Sequence, residues 1–186
     1  MKIQTEMEKK IIDAFFTVLK TTSFSKTKIT TISDAAGISH QTFYRYYVDK
    51  YDLAYKITTQ KFFAFYDLYH DSATWKEIVT AILLSIKNCP LFFKRLLEDP
   101  DGSDIVLKSI IAVTENFTGN NLSRHSVAAW ISIFKDWSKN NFKDSVDTVY
   151  EWIKFYTPVK EVFDLAEVEK IMADYENPSL EYFKKK

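Results

Sequence analysis

Residues 30–50 read TTISDAAGISHQTFYRYYVDK, with Gly37 at the middle and four aromatic rings, Phe43, Tyr44, Tyr46 and Tyr47, in the second half. The spacing predicts two short helices. The first covers about residues 29–36 and is apolar at Ile29, Ile32, Ala35 and Ala36. The second covers about residues 40–47, with Ser39 as its N-cap. A glycine between them supplies a positive φ at little steric cost, so the pair reads as a helix-turn-helix. Ile32, Ala36, Ile38, Phe43 and Tyr47 share the inward side, and the small residues Ser33 and Ala36 permit close helix contact. His40, Gln41, Tyr44 and Arg45 are left pointing outward, flanked by Thr42, Tyr46 and Lys50.

That outward set has the chemistry of a DNA groove. Gln41 can bond an adenine edge in two places, and Arg45 can do the same for guanine. Tyrosine and threonine hydroxyls, a lysine ammonium and the amides at a helix N-terminus suit phosphate oxygens. The plain alternative is a solvated helix whose rings cover neighbouring core.

Working outward, Met7, Ile11, Phe15 and Leu19 recur every four residues and predict a first helix ending near residues 21–23. Phe24 is expected to fold back onto that stripe. Asp49 is the expected cap of a fourth helix over about residues 50–69. Further helices are predicted over about residues 75–88 behind Thr74, from Pro90 to a turn at Asp99-Pro100-Asp101-Gly102, and from Ser103 or Asp104 to the Gly119-Asn120-Asn121 cluster. Three more are predicted over about 123–139, over 144–156 with Asp144 and Asp147 as a loose capping box, and over 160–175.

The chain as a whole agrees. Of its 186 residues 46% are apolar, enough for a packed core, and only three are glycine and four proline, too few for the turns of a sheet protein. The fold class expected is all-α. Residues 1–56 carry nine Lys/Arg against six Asp/Glu, a slightly basic head on a chain of zero net charge. Cys89 is the only cysteine, which excludes an internal disulfide. With no signal-peptide pattern and no apolar run of membrane length, the expected location is cytoplasmic. His40, His70 and His125 lie far apart, and no HExxH, GxSxG or phosphate-cradling glycine loop occurs, so no enzyme, metal or cofactor is expected.

IIDAFFTVLKTTSF followed by ITTISDAAGISHQTFYRYYVDKYDL resembles the N-terminal domain of the TetR family of bacterial transcription regulators. Ile32, Ala36, Gly37, Ile38, Ser39, Thr42, Phe43, Tyr44, Tyr46, Tyr47, Lys50 and Leu53 fall in register with that family's pattern. The resemblance implies that Thr42 and Lys50 grip phosphates, that Tyr44 and Tyr46 meet backbone or groove wall, and that His40, Gln41 and Arg45 choose the sequence. Three positions depart from the pattern: Ser33 for alanine, Ser23 for glycine, and Lys28 where a capping threonine is common. Thr27 or Thr30 is expected to take over that cap, with Lys28 still able to touch phosphate.

The resemblance further implies two parts, a DNA-binding head over residues 1–56 and a helical regulatory and dimerisation part over 57–186, sharing the fourth helix. Such proteins work as homodimers on palindromic DNA, with reader helices roughly 34–36 Å apart. Trp130, Phe134, Trp137, Val149, Trp152 and Ile153, on two apolar-rich helices, are the expected dimer residues. Phe62, Phe65, Tyr66, Tyr69, Trp75 and Phe93 are either plain core or the lining of a pocket for a small-molecule inducer. The expected function is a ligand-responsive transcriptional repressor. The rival is a helical ligand- or partner-binding protein whose head has lost function, and Gln41, Thr42, Tyr44, Arg45 and Lys50 are residues that such a head would have no reason to keep.

Overall fold

A computed structural model describes residues 5–64, 74–118 and 122–157. The expected extension of the fourth helix to residue 69, the Gly119-Asn120-Asn121 stop and the helix over 160–175 lie outside these residues. Among the described residues there are nine helices and no strand: α1 Glu6–Thr21, α2 Ile29–Ala36, α3 His40–Tyr44, α4 Lys50–Phe63, α5 Trp75–Asn88, α6 Pro90–Leu97, α7 Pro100–Thr118, α8 Arg124–Lys139 and α9 Val146–Tyr156.

Local chemistry starts most of them. Thr5 and Glu8 at α1, and Thr74 and Glu77 at α5, form reciprocal capping boxes. Ser39 and Asp49 each accept an amide of the following turn, as the sequence suggests, and Ser123 does the same at α8. Two starts differ. The helix expected from Asp144 is capped by Ser145, whose hydroxyl accepts the Thr148 amide at 3.1 Å. The expected turn at residues 99–102 is the opening of α7. There the Asp99 carboxylate accepts the Gly102 amide at 3.0 Å, and Pro100, which has no amide to satisfy, takes the first helical position.

One hydrophobic cluster runs through the described residues, from Ile11 in α1 to Ile153 in α9. Phe24 does fold back, fully buried with its ring edge-on to Phe15, and Phe15 also meets Phe92 of α6 at 6.3 Å. α4 lies against α7 and α5, α1 against α2 and α6, and α9 against α5 and α8. The junction between head and remainder is therefore packed side chains. Polar contacts reinforce it: Arg95 Nε donates to the Leu19 carbonyl at 3.2 Å, satisfying an acceptor that the end of α1 would otherwise leave open. Ser85 of α5 does the same for the Lys61 carbonyl in the last turn of α4, at 2.8 Å.

Candidate nucleic-acid interface

Gly37 sits at φ 58° and ψ 44°, the left-handed region, and its amide bonds the carbonyls of Ser33 and Asp34. Ile38 N–H returns to the Ser33 carbonyl at 3.0 Å, so α2 is closed and the chain reversed within two residues. Ser39 then restarts it, accepting the Thr42 amide at 3.1 Å. The α3 segment is held from behind by Phe43, fully buried and packed on Tyr47 at 5.7 Å.

α3 ends at Tyr44, three residues before the sequence expectation. The next amides bond only three residues back, Arg45 to Thr42 and Tyr46 to Phe43. The reason is the approach to α4. Asp49 accepts the Asp52 amide at 2.7 Å while Asp52 accepts the Val48 amide at 3.0 Å, and this reciprocal pair requires extended backbone at Asp49. Burial, and then the charges of Glu8 and Asp52, push the Tyr47 hydroxyl up to about 12, so it stays neutral in ordinary solution.

His40, Gln41, Tyr44 and Arg45 are all exposed, on one side of this short element, and Tyr44 has 58% of its surface open. Thr42 and Tyr46 are half-buried. The Thr42 hydroxyl lies 2.9 Å from that of Ser39; when Ser39 is the donor, Thr42 keeps its own proton for an outside acceptor. Lys28 and Thr30 are exposed at the start of α2.

Two expectations at that start need correction. Neither Thr27 nor Thr30 caps α2: Lys28 occupies the N-cap, and no side chain bonds the first-turn amides. Thr27 is buried, its hydroxyl donating to the Ser23 carbonyl at 2.9 Å, so it stabilises the loop and presents nothing outward. Lys50 is also turned inward, with Nζ donating to the carbonyls of Phe24 and Ser25, each at 2.9 Å.

Sequence reading missed two cations. Lys10 of α1 is exposed, with its ammonium 3.9 Å from where a Cβ at Gly37 would stand, and Lys26 is exposed on the α1–α2 loop. Only the crossing of α1 over α2 brings Lys10 to the turn, and helical periodicity carries no such information. Lys10, Lys26, Lys28 and Arg45 are exposed on the head and, among the described residues, none of them has an ion-pair partner.

The expected dimer residues are mostly this chain's own core. Trp130, Phe134, Trp137, Val149 and Ile153 are buried within it, and Trp130 Nε1 donates to the Thr157 hydroxyl at 2.9 Å. Positions 130, 134 and 137 follow the inward stripe of α8, which one chain already fills. Of the six expected residues only Trp152 is exposed, and on the same face of α9 lie Phe155, 82% open, and Tyr156.

Of the expected pocket residues, Phe65, Tyr66 and Tyr69 lie outside the described residues. Phe62 stacks on Phe93 at 5.6 Å, and Trp75 packs on Trp130 at 5.5 Å. Among the described residues no cluster of three His, Cys, Asp or Glu could hold a metal ion, and no helix is long and apolar enough to cross a membrane.

Residues 11–56 match the family model described as bacterial regulatory proteins, tetR family. No curated protein matches the sequence. Among solved structures, the TetR transcriptional regulator from Streptococcus agalactiae 2603V is similar at a TM-score of 0.57 and 16% identity, over 82% of this chain and 94% of that one. A TetR transcriptional regulator from Rhodococcus sp. RHA1 is similar at 0.51 and 11%, over 81% and 94%. The dihydroxyacetone kinase operon activator DhaS is similar at 0.51 and 18%, over 80% and 92%. At these identities the structural likenesses speak to fold alone, a helix-turn-helix head followed by a helical remainder. The head, residues 11–56, thus matches that of the bacterial regulatory proteins of the tetR family, and the fold of the whole is similar to that of solved TetR regulators.

Proposed function

We propose that this protein is a sequence-specific transcription regulator that binds duplex DNA as a homodimer, and that it acts as a repressor by occupying a palindromic operator. The observation that carries the reading is the face of α3. His40, Gln41, Tyr44 and Arg45 are open to solvent on a segment pinned from behind by buried Phe43 and Tyr47. Gln41 and Arg45 are the direct base readers, and His40 stands beside them at the entry to the groove. Tyr44, Tyr46 and the Ser39–Thr42 hydroxyl pair line the backbone on one side. Lys28, Thr30 and the uncapped first turn of α2 meet it on the other, where helix amides favour phosphate.

The division falls near residue 56, within α4, with 1–56 as head and 57–186 as regulatory and dimerisation part. The second copy docks on the exposed α9 face, Trp152, Phe155 and Tyr156, which is apolar where a surface helix is ordinarily polar. An inducer favouring one setting of α4 over the other would change the spacing of the two heads, and only such a difference in affinity can do so. The protein acts in the cytoplasm, where its DNA is.

Selection of bound duplexes from a random pool tests the reading. A recovered palindrome with half-sites about one helical turn apart is the expected result. Failure to enrich any sequence, with no duplex retained even at low ionic strength, refutes it.

A further inference from the structure

Lys50 stands in register with a lysine that the family resemblance assigns to phosphate, yet its surroundings here point elsewhere. Its ammonium donates to two main-chain carbonyls of the α1–α2 loop, Phe24 and Ser25, at 2.9 Å each. The rings of Phe24 and Tyr51 lie 5.1 Å from the same nitrogen. Asp49 adjoins it in sequence, and Asp99 and Asp101 act on it from the start of α7. The Tyr51 hydroxyl reaches toward Asp101 at 3.5 Å. The ammonium therefore joins the loop of the head to the start of α4, with the Asp99 and Asp101 carboxylates acting on it through space and Tyr51 reaching α7 beside it.

The contents of that loop explain why the join matters. The Ser23 carbonyl accepts both the amide and the hydroxyl of Thr27, and the Phe24 carbonyl accepts the Thr27 amide together with Lys50. Lys28 comes next as the N-cap of α2, and Lys26 is exposed within the loop. With Lys50 in place, the carbonyls of Ser23, Phe24 and Ser25 all have donors, and the loop's two free cations are held at a set position on the head. Without it, a partly buried acceptor at Phe24 and an exposed one at Ser25 lose a charged donor, and the loop that aims Lys26 and Lys28 loses its tie to α4.

The geometry points to Lys50 as a positioning residue, one that sets the α1–α2 loop and the first turn of α2 for DNA without itself contacting phosphate. The inference rests on the DNA-binding reading above and deepens it. A phosphate contact and a positioning contact differ in salt dependence. Each neutralised phosphate contributes about 0.9 to the slope of log affinity against log salt, whereas a contact internal to the protein contributes nothing.

The test titrates a mixed-sequence duplex against wild type, Lys50→Met and Lys50→Arg over a range of salt, well below the melting midpoint. In Lys50→Met the duplex itself must order the loop before Lys26 and Lys28 reach phosphate, so this variant is expected to bind about tenfold more weakly at every salt concentration with an unchanged slope, and Lys50→Arg to recover most of the loss. Val79→Ala, in the α5 core, serves as the control: it lowers stability and leaves affinity alone. A slope reduced by about one phosphate in Lys50→Met overturns the inference. So does an affinity loss in the Val79 control equal to that of Lys50→Met, which would reduce Lys50 to a general stabiliser.

Should Lys50→Met fail to fold, the wild-type side chain is read directly by nitrogen–proton correlation of lysine ammonium groups. The Lys50 signal is expected to be protected in DNA-free protein and unmoved when duplex is added. Its appearance only with DNA overturns the inference. If wild type binds no duplex, the regulator reading fails and the positioning role with it. A protected Lys50 signal in the same sample would still establish the clamp between the loop and α4, so the two failures are told apart.

Discussion

Replacing Gly102 by alanine tests how rigidly α6 and α7 are joined. Gly102 is buried in the first turn of α7, and a Cβ there would lie 2.4 Å from the Leu96 carbonyl oxygen, 2.8 Å from its Cα and 2.9 Å from its carbonyl carbon. Real Cβ atoms essentially never approach another heavy atom within 3.0 Å. All three obstacles are backbone, so no rotamer change relieves them, and the two helices must separate by about 0.6 Å or more. Separation disturbs a close junction, because the Ser103 hydroxyl also donates to the Leu97 carbonyl at 3.3 Å. Overpacking of this kind costs about 1–3 kcal/mol, while alanine in a helix regains up to about 1 kcal/mol over glycine. Because the first term is the larger, Gly102→Ala is expected to be less stable by about 1–2 kcal/mol. Urea unfolding followed by circular dichroism measures this as a lower midpoint at unchanged slope. A midpoint equal to or above wild type would show that α6 yields freely and would refute the reasoning. The consequence reaches the head, since α6 carries Phe92 onto Phe15 and Arg95 onto the Leu19 carbonyl.

Ser33 is fully buried and its hydroxyl has no hydrogen-bond partner, so Ser33→Ala is expected to raise the unfolding free energy by about 1 kcal/mol in the same assay. Replacing Trp152 and Phe155 together by serine, on the exposed face of α9, is expected to shift sedimentation velocity toward monomer while the circular dichroism spectrum stays unchanged. Tyr47, pushed up from 10.0 to about 12, holds its proton more tightly folded than unfolded. Its contribution to stability is therefore complete below the unfolded value and is lost as pH rises toward the folded one. Alkaline unfolding is expected to show a steeper fall between about pH 10 and 12 in wild type than in Tyr47→Phe.

Much of the head was legible because its signals are local. Gly37 had to take a positive φ, Ser39 and Asp49 had to cap the helices they precede, and the spacing of Ile32, Ala36, Phe43 and Tyr47 had to put them on one side. Each of these depends on the backbone within a few residues. The errors share the opposite property. Thr27 reads as an outward hydroxyl until the loop turns it onto the Ser23 carbonyl, and Lys50 reads as a surface cation until that loop comes within its reach, 25 residues away in sequence. The tryptophans of α8 look abundant enough to face two partners, but a single chain's core consumes them.

Taken alone, the order of residues determined an all-helical chain, the glycine-centred turn and the polar set on the helix behind it. Those features arise from dihedral preference, capping and periodicity, which act over one or two turns. Which cation stands free on the head and which is held inside, which aromatic face stays open, and how α6 binds the head to the rest were decided by tertiary packing. Helices separated by tens of residues compete there for the same donors, acceptors and apolar surface, and only their arrangement in space settles who meets whom.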